Sequence, residues 1–92
     1  MSQQLTREWS ISKTQISTTV DDDTVILDTA SGRYFSLEGV GSTLWKALQQ
    51  PQSVDELLAA VLERYDVGAE RAERDVRGLL TKLEEAGLVN RH

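Results

Sequence analysis

The sequence predicts an α+β domain, winged helix-turn-helix-like, in which a three-stranded antiparallel sheet is followed by three helices. Three observations carry that reading. Two short apolar runs, residues 24–27 (TVIL) and 33–37 (RYFSL), flank the turn sequence Asp28-Thr29-Ala30-Ser31-Gly32, as the arms of a hairpin do. Ser53-Val54-Asp55-Glu56 matches a capping box ahead of an apolar stripe at helical spacing. A longer stripe over residues 69–86 closes on Gly87, the residue type that ends helices in the left-handed region.

Residues 1–8 have little beyond Leu5 to dock and are expected to fray. The next apolar residues, Trp9, Ile11, Ile16 and Val20, alternate imperfectly and support one strand over residues 15–20. Asp21-Asp22-Asp23 reads as a solvated turn, since a calcium loop would need further oxygen ligands at set offsets. In the hairpin, Gly32 supplies the positive φ that a bulged loop of this length needs. Alternation along the second arm puts Phe35 and Leu37 on one face with Arg33, while Tyr34 and Ser36 point the other way. One face is then core and the other is available.

Residues 39–48 place Val40, Leu44 and Leu48 four apart, with Trp45 three before Leu48, on one helical face. Pro51 ends this helix, because the residue before a proline avoids the α region. The second helix begins at the capping box and is expected to bury Leu57, Leu58, Val61, Leu62 and Tyr65. Asp66-Val67-Gly68 breaks the chain again. In the third helix Ala72, Val76, Leu79, Leu80 and Leu83 fall within about 100° of arc, a normal core stripe. Gly87 should bring Leu88 back against Leu83 in a Schellman motif, and Leu88 and Val89 add a short extended tail.

Ninety-two residues make one domain spanning 1–92, near the lower end of what buries a self-sufficient core. The 39% hydrophobic and 27% charged fractions are those of a folded domain rather than a disordered chain. A formal charge of -5 argues against nucleic acid, whose binding draws on Lys and Arg at the phosphates. With no cysteine there is neither a disulfide framework nor a thiolate metal site. The chain has no secretory apolar core and no run near the roughly 18 apolar residues of a membrane span, so it is expected off the membrane and cytoplasmic.

Catalysis finds little to work with. The one histidine is His92, the final residue, which rules out a triad in practice. Carboxylates alone remain as metal ligands, and Glu84-Glu85 and Glu70 with Glu73 are better read as solvated helix faces. Gly39-Val40-Gly41-Ser42 resembles a phosphate loop only superficially, lacking the lysine and the spacing. No cofactor is implied. Two exposed features survive. If residues 33–36 form an edge strand, their free backbone groups accept an added peptide strand; otherwise they are a paired or protected edge. Gly78 costs about 1 kcal/mol against alanine inside a helix. It shares a flank with Arg71, Asp75 and Lys82 beside the core stripe, and marks either the close approach of another backbone or a tolerated surface glycine.

The run DTASGRYFSLEGVGSTLWKAL, residues 28–48, resembles the PqqD family, as do Ser53-Val54-Asp55-Glu56-Leu57 and the closing Asp75-Val76-Arg77-Gly78-Leu79-Leu80, Leu83 and Gly87-Leu88-Val89. That family supplies the peptide-recognition domains of pathways that modify ribosomally made peptides. The likeness covers about residues 12–90. Glu38 stands where members usually carry asparagine after the strand's leucine, a departure that touches the helix cap more than the fold. The resemblance implies a non-catalytic domain that binds the leader segment of a precursor peptide as an extra antiparallel strand on its third strand, with leader side chains in a cleft against the third helix. The matching positions are Arg33, Tyr34, Phe35 and Ser36 on the strand and Asp75, Val76, Gly78, Leu79, Lys82 and Leu83 on the helix. Periodicity does not choose which flank of the helix lines the cleft.

Small free-standing members resemble the recognition proteins of lasso-peptide biosynthesis. This implies two partners: a precursor peptide, whose leader commonly offers a Tyr-x-x-Pro segment, and a leader peptidase or other maturation enzyme. The alternative within the family is a peptide chaperone of pyrroloquinoline-quinone biosynthesis, with a radical enzyme as client. A winged-helix nucleic-acid binder is the reading from a different class. The third helix sets Arg71, Arg74, Arg77 and Lys82 against Glu70, Glu73, Asp75, Glu84 and Glu85, a net of -1 that suits a DNA groove poorly. The expected state is a monomer or a weak dimer through the edge strand.

Overall fold

The computed structural model describes residues 8–91. Its order is β1 (Glu8–Ile11), β2 (Gln15–Val20), β3 (Asp23–Asp28), β4 (Arg33–Leu37), α1 (Val40–Ala47), β5 (Gln52–Ser53), α2 (Val54–Arg64), α3 (Ala69–Glu85) and β6 (Val89–Arg91). The expected fraying of residues 1–8 lies outside the described residues except at Glu8, which is ordered in β1 and pairs with Ser53. The main sheet is the expected three-stranded one, in the order β2-β3-β4 and antiparallel throughout.

Local chemistry sets each boundary. At the hairpin tip the Asp28 carboxylate accepts from the Ala30 N–H at 3.1 Å and from the Ser31 hydroxyl at 2.9 Å. The Gly32 N–H closes the loop onto the Asp28 carbonyl at 2.7 Å, with Gly32 at φ 75°. The helix α2 starts on a full capping box: the Ser53 hydroxyl accepts from the Glu56 N–H at 3.1 Å and the Glu56 carboxylate accepts from the Ser53 N–H at 2.8 Å. The helix α3 ends in both bonds of a Schellman motif, Leu88 N–H to Leu83 carbonyl at 2.9 Å and Gly87 N–H to Glu84 carbonyl at 3.0 Å. Glu38 does not cap α1. Gly39 does, at φ 55° and without a side-chain bond.

The core lies between the main sheet and the helices. Ile26 of β3 shares one core cluster with Leu44, Trp45 and Leu48 of α1, Leu57 and Val61 of α2, and the Ala72, Val76, Leu80 and Leu83 stripe of α3. Two polar contacts fix α1 on the sheet: the buried Thr24 and Ser42 hydroxyls lie 2.7 Å apart, and the Trp45 indole N–H donates to the Ser17 hydroxyl at 3.0 Å. Leu62, expected on the buried stripe of α2, is 36% exposed at the edge of that stripe.

Sequence reasoning missed a second sheet, ordered β5-β1-β6. Trp9 pairs with Gln52 on one side and Arg91 on the other, and its side chain joins the core. The extended tail at Leu88 and Val89 therefore ends in a ladder rather than in solvent. Each strand of this sheet has two to four residues, too few to show alternation.

Candidate functional site

The strand β4 is an edge of the main sheet, and among the described residues no strand pairs with its far side. In an antiparallel ladder successive residues turn their backbone groups to opposite neighbours. Two bonds fix the phase. The Thr29 N–H donates to the Thr14 carbonyl at 2.7 Å, turning Thr29 toward β2, and the Gly32 bond turns Asp28 toward β4. Asp28, Ile26 and Thr24 therefore bond to their register partners Arg33, Phe35 and Leu37. Tyr34 and Ser36 present their N–H and C=O groups to the open edge. Their side chains are exposed on the sheet's outer face, Tyr34 at 71%, whereas Phe35 and Leu37 pack against the core. The Arg33 guanidinium lies 5.2 Å above the Phe35 ring.

Where β4 ends, a cleft of about 360 Å³ opens between the β4–α1 corner and α3. Glu38, Val40 and Gly41 form one wall, and Arg74, Asp75, Gly78, Leu79 and Lys82 form the other. Gly41 sits at the narrow end. A Cβ there would stand 3.4 Å from the Leu79 Cδ2 and 3.5 Å from Leu37, so β4, α1 and α3 converge on a residue with no side chain. At Gly78 the opposite holds, for a Cβ would meet nothing within 4 Å. The glycine leaves the cleft open; it admits no backbone of this chain.

Of the helix residues named from the sequence, Asp75, Gly78, Leu79 and Lys82 come together in this cleft, whereas Val76 and Leu83 do not. Val76 is fully buried and Leu83 is 4% exposed, and both belong to the core beneath it. Arg33, Tyr34, Phe35 and Ser36 lie along the strand that leads into the cleft rather than in its walls. Glu38, Val40, Gly41 and Arg74 were missed. Arg74 had a signal, since Arg74, Gly78 and Lys82 sit at i, i+4 and i+8 in one row of α3. Gly41 had one too, in the glycine pair that fails as a phosphate loop. Among the described residues no group of three or more His, Cys, Asp or Glu is placed to hold a metal ion, and no helix is long and apolar enough to cross a membrane.

An unpaired strand edge running into a helix-lined cleft can hold an extended peptide by main-chain bonds and sort its side chains by what the cleft accepts. The family model for coenzyme PQQ synthesis protein D (PqqD) matches residues 23–89, which include β3, β4, all three helices and hence the whole cleft. The chain belongs to the PqqD family. Two solved structures resemble this PqqD-family domain closely. One is described as TbiB1 in complex with the TbiA(beta) leader peptide, with 33% identity, covering 88% of this chain and 94% of that one at a TM-score of 0.83. The other is lasso peptide synthetase B1 complexed with the leader peptide, with 26% identity, covering 90% and 98% of the two chains at a TM-score of 0.79. No curated protein is significantly similar in sequence.

Proposed function

We propose that this PqqD-family domain binds the leader segment of a ribosomally made precursor peptide as an added strand on β4 and presents it to a separate leader peptidase or other maturation enzyme in lasso-peptide biosynthesis. The observation that carries this is the pair of free backbone positions, Tyr34 and Ser36, on an edge that opens into the α3 cleft. Two structural neighbours held with leader peptides support it, one of them named as part of a lasso peptide synthetase. The domain contributes no chemistry to the reacting bond. It raises the effective concentration of the core peptide beside an enzyme that shares its cytoplasmic compartment.

The family description favours a second reading, a peptide chaperone of quinone-cofactor synthesis. It keeps the same strand addition and changes the precursor and the client. A nucleic-acid-binding role is disfavoured by the net negative charge of α3, and predicts a salt-dependent DNA affinity that this domain should lack. The decisive experiment is titration of ¹⁵N-labelled protein with the leader peptide encoded beside it. Amide shifts should concentrate at residues 33–38 and 74–82. No binding, or shifts confined to the outer surfaces of α1 and α2, would reject the proposal.

A further inference from the structure

The cleft walls carry four charged side chains, Glu38, Arg74, Asp75 and Lys82. Among the described residues none of the four enters an ion pair or a side-chain hydrogen bond. The other flank of α3 behaves differently. There the Arg77 guanidinium donates to Glu73 at 2.9 Å and the Arg91 guanidinium to Glu84 at 3.3 Å. Arg74 has Glu70 at the same four-residue spacing that joins Arg77 to Glu73, and Lys82 has Glu85 three residues on, yet neither pair forms. The helix pairs Arg77 and Glu84 away from the cleft and leaves all three of its cleft charges free, as it does Glu70, Arg71 and Glu85 outside the cleft.

Their order matters. Arg74, Gly78 and Lys82 form a single row, successive members about 5–6 Å apart. Gly78 puts nothing between the two cations, and the space where its side chain would stand is empty to 4 Å. Asp75 and Leu79 form the next row, toward α1 and Glu38. Two cations thus flank a gap one side chain wide, with Asp75 in the adjoining row and Glu38 on the facing wall. Two positive and two negative groups cancel, so the cleft reads where a charge sits on a peptide and not the peptide's net charge.

We propose that the cleft selects peptides with an acidic side chain, seated over Gly78 between Arg74 and Lys82, at a fixed offset from the residues that pair with β4. This rests on the strand-addition reading above. The Arg74 fork can take a carboxylate through two parallel N–H bonds, and Lys82 adds a point charge from the other side. The same arrangement explains a glycine kept in mid-helix, since any side chain at position 78 would fill the seat.

The test is a displayed library of random twelve-residue peptides, selected against the wild-type protein and against the Arg74→Glu/Lys82→Glu double variant. Both side chains are exposed, so the variant should melt within a few degrees of wild type. Peptides enriched by wild type should share Asp or Glu at one offset from their strand-forming segment. Peptides enriched by the variant should carry Lys or Arg at that offset. Remaking one wild-type peptide with Gln for its acid should weaken binding roughly tenfold, and should change little against Arg74→Gln/Lys82→Gln. Enriched peptides that shift the β4 amides but show no acidic preference, or keep it against the charge-reversed variant, would overturn the charge rule and leave strand addition standing. Failure of every enriched peptide to shift the β4 amides, or failure of wild type to enrich any peptide, would overturn both.

Discussion

Ser36 and Phe35 are adjacent on β4 with opposite duties, and proline separates them. At position 36 it removes an N–H that faces the open edge, which an edge strand tolerates. We expect Ser36→Pro to keep its melting temperature within a few degrees and to bind leader at least about tenfold more weakly by fluorescence anisotropy. At position 35 it removes a donor to Ile26 in the ladder, and circular dichroism should show a largely unfolded chain. Gly78→Ala should move stability and binding in opposite senses. The helix gains up to about 1 kcal/mol, seen as a higher urea midpoint, because no atom obstructs the new methyl, while the cleft loses space and leader affinity. Ser42→Ala leaves the buried Thr24 hydroxyl without its 2.7 Å partner and should cost about 1–3 kcal/mol. Adding Thr24→Val should recover much of that, since replacing both partners is far cheaper than orphaning one. Chemical denaturation of the three proteins decides it.

Elements were legible where local chemistry and periodicity agreed. The hairpin arms, the capping box at Ser53 and the Gly87 stop all stand within about a residue of where the sequence puts them, because each rests on contacts between residues a few positions apart. The β5-β1-β6 sheet was illegible for the converse reason. Its register joins Trp9 to Gln52 and Arg91, far off in the chain, and Gln52-Ser53 was recognisable only as a helix start. Ser53 in fact serves twice, as a rung opposite Glu8 and as the α2 cap. Ser53→Ala should cost about 1 kcal/mol through the cap alone. Trp9→Ala removes a side chain that sits in the core and should cost about 3–5 kcal/mol, a loss that reading residues 1–8 as a frayed end followed by a weak strand gives no reason to expect. The cleft was half legible. Helical spacing gathered Asp75, Gly78 and Lys82 on one flank with Arg71, which does not line the cleft, and put Val76 and Leu83 in the core stripe, where they lie; the family resemblance added both of them and Leu79 to the cleft, and of these Leu79 alone lines it. Spacing along one helix cannot report that Glu38 and Gly41 supply the facing wall.

At the scale of the whole molecule, the proposed leader binding would be linked to folding. A peptide held only by the native state at 100 times its dissociation constant adds about 2.7 kcal/mol, which for a domain of this size raises the melting temperature by roughly 10–20 °C. A thermal-shift series against peptide concentration should show that rise, and Ser36→Pro should flatten it. The small sheet gives the molecule a mechanical character as well. Both β1 and β6 sit at the extremes of the described chain, and they run antiparallel with Trp9 opposite Arg91, Ser10 opposite Asn90 and Ile11 opposite Val89. Tension applied at residues 8 and 91 would load these rungs one after another, as a zipper opens, instead of shearing them together. In an optical trap the first yield should come at low force from this ladder, freeing β6 while β1 stays paired with β5 and the hairpin and α3 still face each other. On the strand-addition proposal, a pull on the domain by its ends would therefore meet slack before it disturbed a peptide on β4.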